Sequence, residues 1–265
     1  MCRPTETRNR YPHNPHNMPN LKTLIKHTDI RFSPLKTCMI KGLSYDSRSV
    51  RPGDLFFAVP GTHADGTSYI PHAFSRGAIA AVSGPAGKRF AVKGRPVFVT
   101  RELRRSMAFI AGEFYGHPSR KMPVIGITGT NGKTTISYFI ERILQSDKQS
   151  AGVLGTINYR FNQHVFQART TTPESPDLQR ILSEMLHEHV NTAVMEVSSH
   201  ALALERVAGI HFTGGIFTNL TRDHLDFHGS MHNYFNAKKI LFQSMNHNPQ
   251  MTVRGKTPFA VINTD

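Results

Sequence analysis

The second half of the chain alternates between two patterns of hydrophobic residues. Short apolar runs, typical of buried strands, are followed by longer segments in which apolar residues return every three or four positions, typical of amphipathic helices. In the segment 176–190, for example, Leu178, Ile181, Leu182 and Met185 fall on one helical face. Strands are predicted over 123–128, 152–157, 192–197, 214–218 and 258–263, and helices over 133–146, 176–190 and 231–245. Strands separated by helices of this length predict an α/β fold with a mostly parallel sheet.

The first half of the chain predicts a smaller α/β unit, in which short apolar stretches alternate with turn signals. Its predicted elements are a helix over 69–76, strands over 78–83 and 96–100, and a helix over 103–114. The last helix is expected to end at the turn before Pro118, because proline disfavours helix in the preceding residue. We therefore expect domains at 21–118 and 119–265, after a polar and disordered leader at 1–20.

Composition excludes several classes of protein. The 265 residues are 38% hydrophobic, which is compatible with a globular protein. The two cysteines, Cys2 and Cys38, have no paired spacing, which argues against a disulfide scaffold or a cysteine zinc site and indicates a reducing, cytoplasmic location. No apolar run approaches the roughly 18 residues of a membrane span, so no membrane partner is expected.

The chain is strongly basic, with a formal charge of +14 and a pI near 10.1. Such a charge favours anionic partners such as nucleotides and phosphates, although a basic solvated surface would have the same composition. Lysine and arginine do not form a dense block interleaved with aromatic residues, so we expect no specific nucleic-acid binding.

A glycine-rich segment at 122–136 combines a strand, a tight turn and the start of a helix. Glycines permit a tight turn that brings backbone N–H groups close to an anion, and the helix N-terminus adds donors. Lys133 can reach phosphate oxygens, and the Thr134 hydroxyl can ligate Mg²⁺. Five residues separate Gly126 from Gly132, one more than in the standard pattern, and an ordinary glycine turn is the alternative. The expected ATP contacts are Gly129, Thr130, Asn131, Gly132, Lys133, Thr134 and Thr135.

Polar residues follow the other predicted strands, where ligands collect in open parallel sheets. Thr171 and Thr172 lie in a loop, Glu196 ends an apolar strand, and the polar run 219–224 follows the next one. An ionised carboxylate at the position of Glu196 requires a partner or a metal. A helix cap or an ion pair remains the alternative to metal binding.

Three motifs, at 126–135, 195–202 and 217–226, together resemble the Mur ligase family. Residues 46–58 and 61–66 are similar to the uridine-binding domain of those members that build the tripeptide precursor. The resemblance implies an ATP-dependent ligase of peptidoglycan synthesis, with ATP and Mg²⁺ as cofactors. ATP would phosphorylate the carboxylate of UDP-N-acetylmuramoyl-L-alanyl-D-glutamate, and a diamino acid, diaminopimelate or lysine, would attack the acyl phosphate.

The resemblance also implies roles for single residues. Lys133 and Mg²⁺ on Thr134 would serve ATP, while Glu196 and His224 would ligate a second Mg²⁺. Lys238 aligns with the family lysine that becomes carbamylated to N6-carboxylysine; a solvated helix lysine is the alternative, and it suits Lys239 better. The implied catalytic residues are Lys133, Lys238, Glu196 and His224. The implied substrate contacts are Tyr45, Ser47, Thr62, His63 and Ala64 for the uridine diphosphate side, and Thr171, Thr172, Ser198 and Arg206 for the muramoyl peptide.

The segment 258–263 is predicted to be a core strand of the central sheet, whereas members of the family continue into a further, amino-acid-binding domain. We therefore expect an incomplete central ATPase domain and a ligase fragment that is poorly active alone. One alternative is a folylpolyglutamate-synthase-like ligase, which the 46–58 block disfavours. The other is a non-catalytic fragment that binds a nucleotide or a UDP-sugar.

Overall fold

The computed structural model describes residues 19–30, 39–61, 65–245, 252–255 and 257–264. Contacts divide the chain into two compact units, with the change from the first to the second between Arg101 and Glu102. This point is earlier than the expected boundary at 118/119. The helix over Leu103–Phe114 explains the difference, because it packs against the helix over Ser175–His187 in the second unit.

In its described residues, the first unit contains a parallel sheet with the strand order β1-β2-β3-β4. Its elements are α1 Leu21–Leu24, β1 Gly42–Ser44, β2 Asp54–Phe57, a 3₁₀ turn Gly66–Tyr69, α2 Ile70–Ser75, β3 Ala80–Ser83, a 3₁₀ turn Pro85–Phe90 and β4 Val97–Val99. Phe56 of β2 and Phe74 of α2 meet in its core. The predicted small α/β unit is therefore confirmed.

The second unit contains a larger sheet, whose order in the described chain is β11-β10-β5-β9-β6-β7-β8. Its elements are α3 Leu103–Phe114, a 3₁₀ turn Pro118–Arg120, β5 Val124–Thr128, α4 Lys133–Ser146, β6 Ala151–Leu154, β7 Asn158–Phe161, β8 His164–Gln167, α5 Ser175–His187, β9 Thr192–Glu196, α6 Ser199–Ala203, β10 Gly214–Phe217, α7 Leu225–His228, α8 Met231–Met245 and β11 Phe259–Ile262. The neighbouring strands from β11 to β6 are parallel. The predicted α/β, mostly parallel sheet is confirmed.

The hairpin formed by β7 and β8 was not predicted from the sequence. The two strands pair antiparallel with each other, and β7 also pairs antiparallel with β6. Two residues connect them, and the first, Asn162, has a φ of +50°, which asparagine tolerates better than most residues. The four residues of β8 contain neither a long apolar run nor a regular alternation, from which strands are predicted. Three of the four are exposed.

Close packing of α8 on the sheet depends on Gly126 in β5. A Cβ added there would lie 2.8 Å from the ring of Phe212 and 3.0 Å from Leu241 of α8. On the opposite face of the sheet, the buried Ile127 is covered by α4 through Ile136 and Ile140. The short distance between α8 and β5 sets the position of α8 relative to the loop that follows β5.

The strand β11 is present as predicted, but its expected place in the core is wrong for the described structure. Phe259, Val261 and Ile262 are 47%, 53% and 51% exposed. On α4, Phe139 and Ile143 are also exposed. No described element covers the β11 side chains, so this edge of the sheet presents apolar surface to solvent.

No helix within the described residues is both long enough and apolar enough to cross a lipid bilayer.

Candidate active site

The loop between β5 and α4 makes a turn that requires glycine. Gly129 has a φ of +144° and Gly132 a φ of +83°. A Cβ on Gly129 would lie 1.9 Å from the Thr218 hydroxyl, which itself donates a hydrogen bond of 2.6 Å to the carbonyl of Asn131. Backbone from the end of β10 therefore lies directly against the loop, which fixes its path.

Asn219 and Tyr234 hold this loop, and sequence reasoning missed both roles. The N–H of Thr130 donates to the Asn219 carbonyl at 2.9 Å, and the N–H of Asn131 donates to the Asn219 side chain at 3.0 Å. The Thr130 hydroxyl and the Tyr234 hydroxyl are 3.1 Å apart. Asn219 could have been found, because it follows β10 at the carboxyl edge of the sheet. Nothing local to the sequence places Tyr234 there.

The helix α4 begins directly after Gly132 with Lys133, Thr134 and Thr135. The first turn of a helix leaves N–H groups without carbonyl partners, and these groups and the helix dipole favour an anion. Gly132 has open space around the position of an added Cβ, and Thr135 is exposed. The start of α4 is therefore accessible to a phosphate.

The Lys133 ammonium lies inside the loop. Its Nζ donates to the carbonyl of Gly129 at 2.9 Å and to that of Thr130 at 2.8 Å. Burial lowers the pKa of Lys133, and the carboxylates of Glu196 and Asp223 oppose this effect. Contacts with carbonyls are weaker than contacts with phosphate oxygens, so a bound phosphate can take the place of the carbonyls.

Lys238 of α8 contacts the same loop. It is 2% exposed, its Nζ donates to the Gly129 carbonyl at 2.8 Å, and the Nζ lies 4.2 Å from the centre of the Tyr234 ring. Burial, and then the charge of Lys133, lower the pKa of Lys238 to about 7. Lys239 is exposed, so the solvated-lysine alternative describes Lys239 and is wrong for Lys238.

The carboxylate of Glu196 is 1% exposed and is surrounded by donors. The Thr134 hydroxyl donates to its two oxygens at 2.9 and 3.0 Å. Thr156, which was not predicted, donates through its N–H at 3.1 Å and its hydroxyl at 3.0 Å. Space is restricted, since a Cβ on Gly155 would lie 2.3 Å from Glu196 Oε1. The expected partner of the buried carboxylate is therefore present.

A carboxylate beside a threonine hydroxyl fits Mg²⁺, which prefers hard oxygen ligands and keeps several water molecules. The pair of Glu196 and Thr134 supplies such oxygens at the start of α4. The described residues contain no group of three or more histidine, cysteine, aspartate or glutamate side chains that could hold a metal by themselves. Phosphate and water would have to complete the coordination.

His224 does not join this group in the described structure. It precedes α7 with a φ of +51°, its Nε2 is 3.4 Å from Asp223 Oδ2, and its ring centre is 4.7 Å from that of His200. Burial, and then His224, lower the pKa of His200. Glu196 contacts Thr134 and Thr156, whereas His224 contacts Asp223 and His200. Their joint role as ligands of a second Mg²⁺ stays a prediction.

The residues predicted for the muramoyl peptide are brought together at the carboxyl end of β9: Thr171, Thr172, Ser198 and Arg206. The Thr171 and Thr156 hydroxyls are 3.1 Å apart. The Thr172 hydroxyl donates to the Glu196 carbonyl at 2.9 Å and accepts the Ser198 N–H at 3.2 Å. Arg206 donates from Nη1 to the Thr172 carbonyl at 3.3 Å. This group thus lies beside Glu196, next to the loop that precedes α4.

The residues predicted for the uridine diphosphate side belong to the first unit. Ser47 is buried, and its hydroxyl is 3.0 Å from Nδ1 of His72. Tyr45 is half-buried. The predicted contacts Thr62, His63 and Ala64 lie outside the described residues.

Two models of known protein families match this chain. The model of the Mur ligase middle domain matches residues 127–265, which is more than half of the chain. The chain belongs to the Mur ligase family. A second model, the catalytic domain of the Mur ligase family, matches residues 39–108. The two matches extend into both units of this Mur ligase chain.

Two similar curated proteins carry the same name. The UDP-N-acetylmuramoyl-L-alanyl-D-glutamate--2,6-diaminopimelate ligase of Solibacter usitatus is 45% identical over 231 residues, which cover 85% of this chain and 44% of that protein. The ligase of the same name from Gloeobacter violaceus is 40% identical over 243 residues, which cover 91% and 49%. The chain therefore spans about half the length of these relatives.

Solved structures give the same fold. A structure of a UDP-N-acetylmuramoyl-L-alanyl-D-glutamate--2,6-diaminopimelate ligase aligns with a TM-score of 0.73 and 26% identity, covering 86% of this chain and 45% of that one. The MurF ligase of Thermotoga maritima in complex with ADP aligns with a TM-score of 0.57 and 21% identity, covering 87% and 47%. The second likeness supports the fold alone.

Proposed function

We propose that this chain is part of an ATP-dependent amide-bond ligase that adds a diamino acid to UDP-N-acetylmuramoyl-L-alanyl-D-glutamate through an acyl phosphate. One observation carries the proposal: two ammonium groups, of the half-buried Lys133 and the buried Lys238, contact the Gly129 carbonyl. The names of the relatives favour 2,6-diaminopimelate over lysine as the amino acid. The nucleotide substrates would place the reaction in the cytoplasm.

Formation of the acyl phosphate requires positive charge between two anions, because a substrate carboxylate must attack the γ-phosphorus of ATP. Lys133 would leave the loop carbonyls and bind the β- and γ-phosphates, while the backbone from Gly129 to Thr135 surrounds them. When bound at Thr134 and Glu196, Mg²⁺ supplies further positive charge at the transferred phosphoryl group. We keep Glu196 and His224 as the proposed ligands of a second Mg²⁺.

Lys238 is proposed to carry a carbamate. With a pKa of about 7, a large fraction of its amine is neutral near neutral pH and can attack CO₂. A nitrogen–carbon bond forms, one proton is released, and N6-carboxylysine results. The modification would place an anion beside the Lys133 ammonium, where the protonated Lys238 amine would repel that ammonium.

The two sets of polar residues would bind the two ends of the UDP-sugar peptide. Thr171, Thr172, Ser198 and Arg206 lie beside Glu196 and would hold the peptide end, where the carboxylate reacts. Tyr45, Ser47, Thr62, His63 and Ala64 would contact the uridine diphosphate. A guanidinium is well suited to bind a carboxylate or phosphate in two-point fashion.

Phosphate release from ATP tests the proposal. The chain would be incubated with Mg²⁺ and UDP-N-acetylmuramoyl-L-alanyl-D-glutamate, with and without diaminopimelate or lysine, and binding of the UDP-sugar peptide and of ADP would be measured by calorimetry. Release that depends on one amino acid would establish a ligase and identify its substrate. Binding of both ligands without release would support the alternative, a non-catalytic binding fragment.

Two variants make the test specific to the loop. Lys133→Met is expected to weaken ADP binding at least tenfold, because the ammonium would contact phosphate oxygens. Lys239→Met is the matched control, since Lys239 is exposed on α8 beside Lys238. A folded chain that binds neither ADP nor the UDP-sugar peptide would contradict the proposed function.

A further inference from the structure

Two arginines of the second unit share one carboxylate near the residues assigned to the muramoyl peptide. Arg206 Nε lies 2.9 Å from Glu174 Oε1, while Arg104 Nη1 lies 3.3 Å from Oε1 and 3.2 Å from Oε2 of the same side chain. The three side chains are between 19% and 24% exposed. This cluster is therefore mostly screened from solvent, where ion pairs are stronger than at the surface.

Glu174 occupies the position just before α5, where a polar side chain often caps the helix. Its backbone is extended, but its side chain makes no capping hydrogen bond. The carboxylate instead contacts Arg206 and Arg104. Glutamate is not a favoured capping residue, so its carboxylate is available to pair with the two arginines.

Contacts on two sides determine the orientation of the Arg206 guanidinium. Glu174 Oε1 forms an ion pair with Nε at 2.9 Å, although the Nε–H is not aligned for a hydrogen bond, and the Thr172 carbonyl accepts from Nη1. A guanidinium has five N–H donors in a fixed plane, so the single hydrogen bond to Thr172 leaves donors on Nη1 and Nη2 for a ligand. Thr172 is itself hydrogen-bonded to the Glu196 carbonyl, which connects this guanidinium to the end of β9.

The carboxylate also reduces repulsion between the arginines. Both contact the same oxygen of Glu174, so their nearest nitrogens lie within about 6 Å, a distance at which like charges in a partly buried site repel appreciably. With Glu174 ionised, the cluster keeps one net positive charge. Without it, Arg206 would lose its partner and face the charge of Arg104.

We propose that Glu174 is a positioning residue that holds the Arg206 guanidinium toward a carboxylate or phosphate of UDP-N-acetylmuramoyl-L-alanyl-D-glutamate, with Arg104 of α3 fixing Glu174 in turn. This inference rests on the proposed function. Glu174 touches no substrate; it acts through Arg206. Its loss is expected to weaken binding of the UDP-sugar peptide and to leave nucleotide binding unchanged.

Calorimetry on the full 265-residue chain tests the inference, with UDP-N-acetylmuramoyl-L-alanyl-D-glutamate and ADP as the two probes. Glu174→Gln keeps the shape of the side chain and removes its charge. We expect the Kd for the UDP-sugar peptide to rise about tenfold and the Kd for ADP to stay within twofold. Glu184→Gln is the matched control, because Glu184 lies on α5, the helix that Glu174 precedes, and pairs with an arginine, Arg180, at 2.7 Å. It should leave both constants within twofold.

A double variant separates positioning from a general structural effect. If Glu174 acts through Arg206, Glu174→Gln combined with Arg206→Met should bind no more weakly than Arg206→Met alone. A purely structural role would make the two losses add. Thermal unfolding of each variant would show that it is folded at the temperature of the titration.

The outcomes distinguish this inference from the proposed function. A folded wild-type chain that does not bind the UDP-sugar peptide would overturn the proposed function, and with it the ligand assigned to Arg206. A wild-type chain that binds, together with unchanged binding by Glu174→Gln or additive losses in the double variant, would overturn the inference alone.

Discussion

Replacing Lys238 by methionine is expected to stabilise the chain at neutral pH, by an amount that falls as the pH rises. The Lys238 ammonium is 2% exposed, and its pKa falls from the ordinary 10.5 to about 7 in the folded protein. Below pH 7 both the folded and the unfolded chain carry the proton, so the folded state bears the full cost of the buried charge. Methionine has a similar length and no charge, so it removes that cost.

The sign of the pH dependence follows from proton binding. Between pH 7 and pH 10.5 the unfolded chain keeps the proton on Lys238, whereas the folded protein has lost it. Unfolding then takes up a proton, so the wild-type free energy of unfolding rises with pH in this range. The methionine variant lacks this contribution, and its advantage over wild type must shrink.

The size of the effect follows from the fall in pKa of about 3.5, which corresponds to about 5 kcal/mol over the whole range. Between pH 7 and pH 9.5 the advantage of the variant should decrease by about 3 kcal/mol. The lost hydrogen bond of 2.8 Å to the Gly129 carbonyl lowers the stability of the variant at every pH. The informative quantity is therefore how the difference in free energy of unfolding between the variant and the wild type changes with pH.

Urea unfolding followed by circular dichroism at pH 7.0, 8.0 and 9.5 would measure this difference. Buffers should be free of CO₂, because a carbamate would remove the positive charge. Lys239→Met serves as the control, and its exposed side chain should give nearly the same small effect at each pH. An advantage of Lys238→Met that varies by less than about 1 kcal/mol across the series would refute the depressed pKa, since extrapolated values carry an uncertainty of this order.

Three further changes test other parts of the fold. Gly129→Ala should lower the free energy of unfolding by about 2–4 kcal/mol, because its Cβ would lie 1.9 Å from the Thr218 hydroxyl. Gly132→Ala should lower it by about 1 kcal/mol, because the added Cβ would lie in open space. Equal melting temperatures for the two variants would contradict this. Glu141→Gln should cost about 2–4 kcal/mol in urea unfolding, since it leaves the guanidinium of Arg160, 15% exposed, without the anionic charge 2.6 Å away. A loss below about 0.5 kcal/mol would show that the ion pair contributes little. Val261→Thr should change stability by less than about 0.5 kcal/mol and reduce light scattering on concentration, because Val261 is 53% exposed in an apolar strand. Unchanged scattering would show that the exposed side chain of Val261 does not promote self-association.

Elements with a strong local pattern could be predicted from the sequence. The helices α4 and α8 begin and end where their hydrophobic spacing places them, and β5 was expected from an apolar run that ends in a glycine turn. The site could be located for the same reason, since parallel strands collect polar residues at their carboxyl ends. The resemblance singled out Lys238 for carbamylation, which stays a prediction; its burial against the Gly129 carbonyl is a finding of the structure.

Features that depend on distant parts of the chain could not be predicted. Tyr234 reaches Thr130 across 104 positions of sequence, and Glu174 meets Arg104 across 70. No local pattern encodes either contact, because each depends on how α8 and α3 pack in the folded chain. The change of unit after Arg101 was missed for a related reason, because α3 packs against α5, which lies about 60 residues later in the sequence.

The position of Tyr234 has a practical consequence for spectroscopy. The chain contains no tryptophan and seven tyrosines, so tyrosine dominates its ultraviolet absorption and fluorescence near 300 nm. The phenol of Tyr234 is 1% exposed, bonded to Thr130 and packed against the Lys238 ammonium. A fluorine label on the tyrosines would therefore place one reporter nucleus directly beneath the glycine loop. Its resonance frequency could follow the chemical state of the neighbouring amine without any change to the sequence.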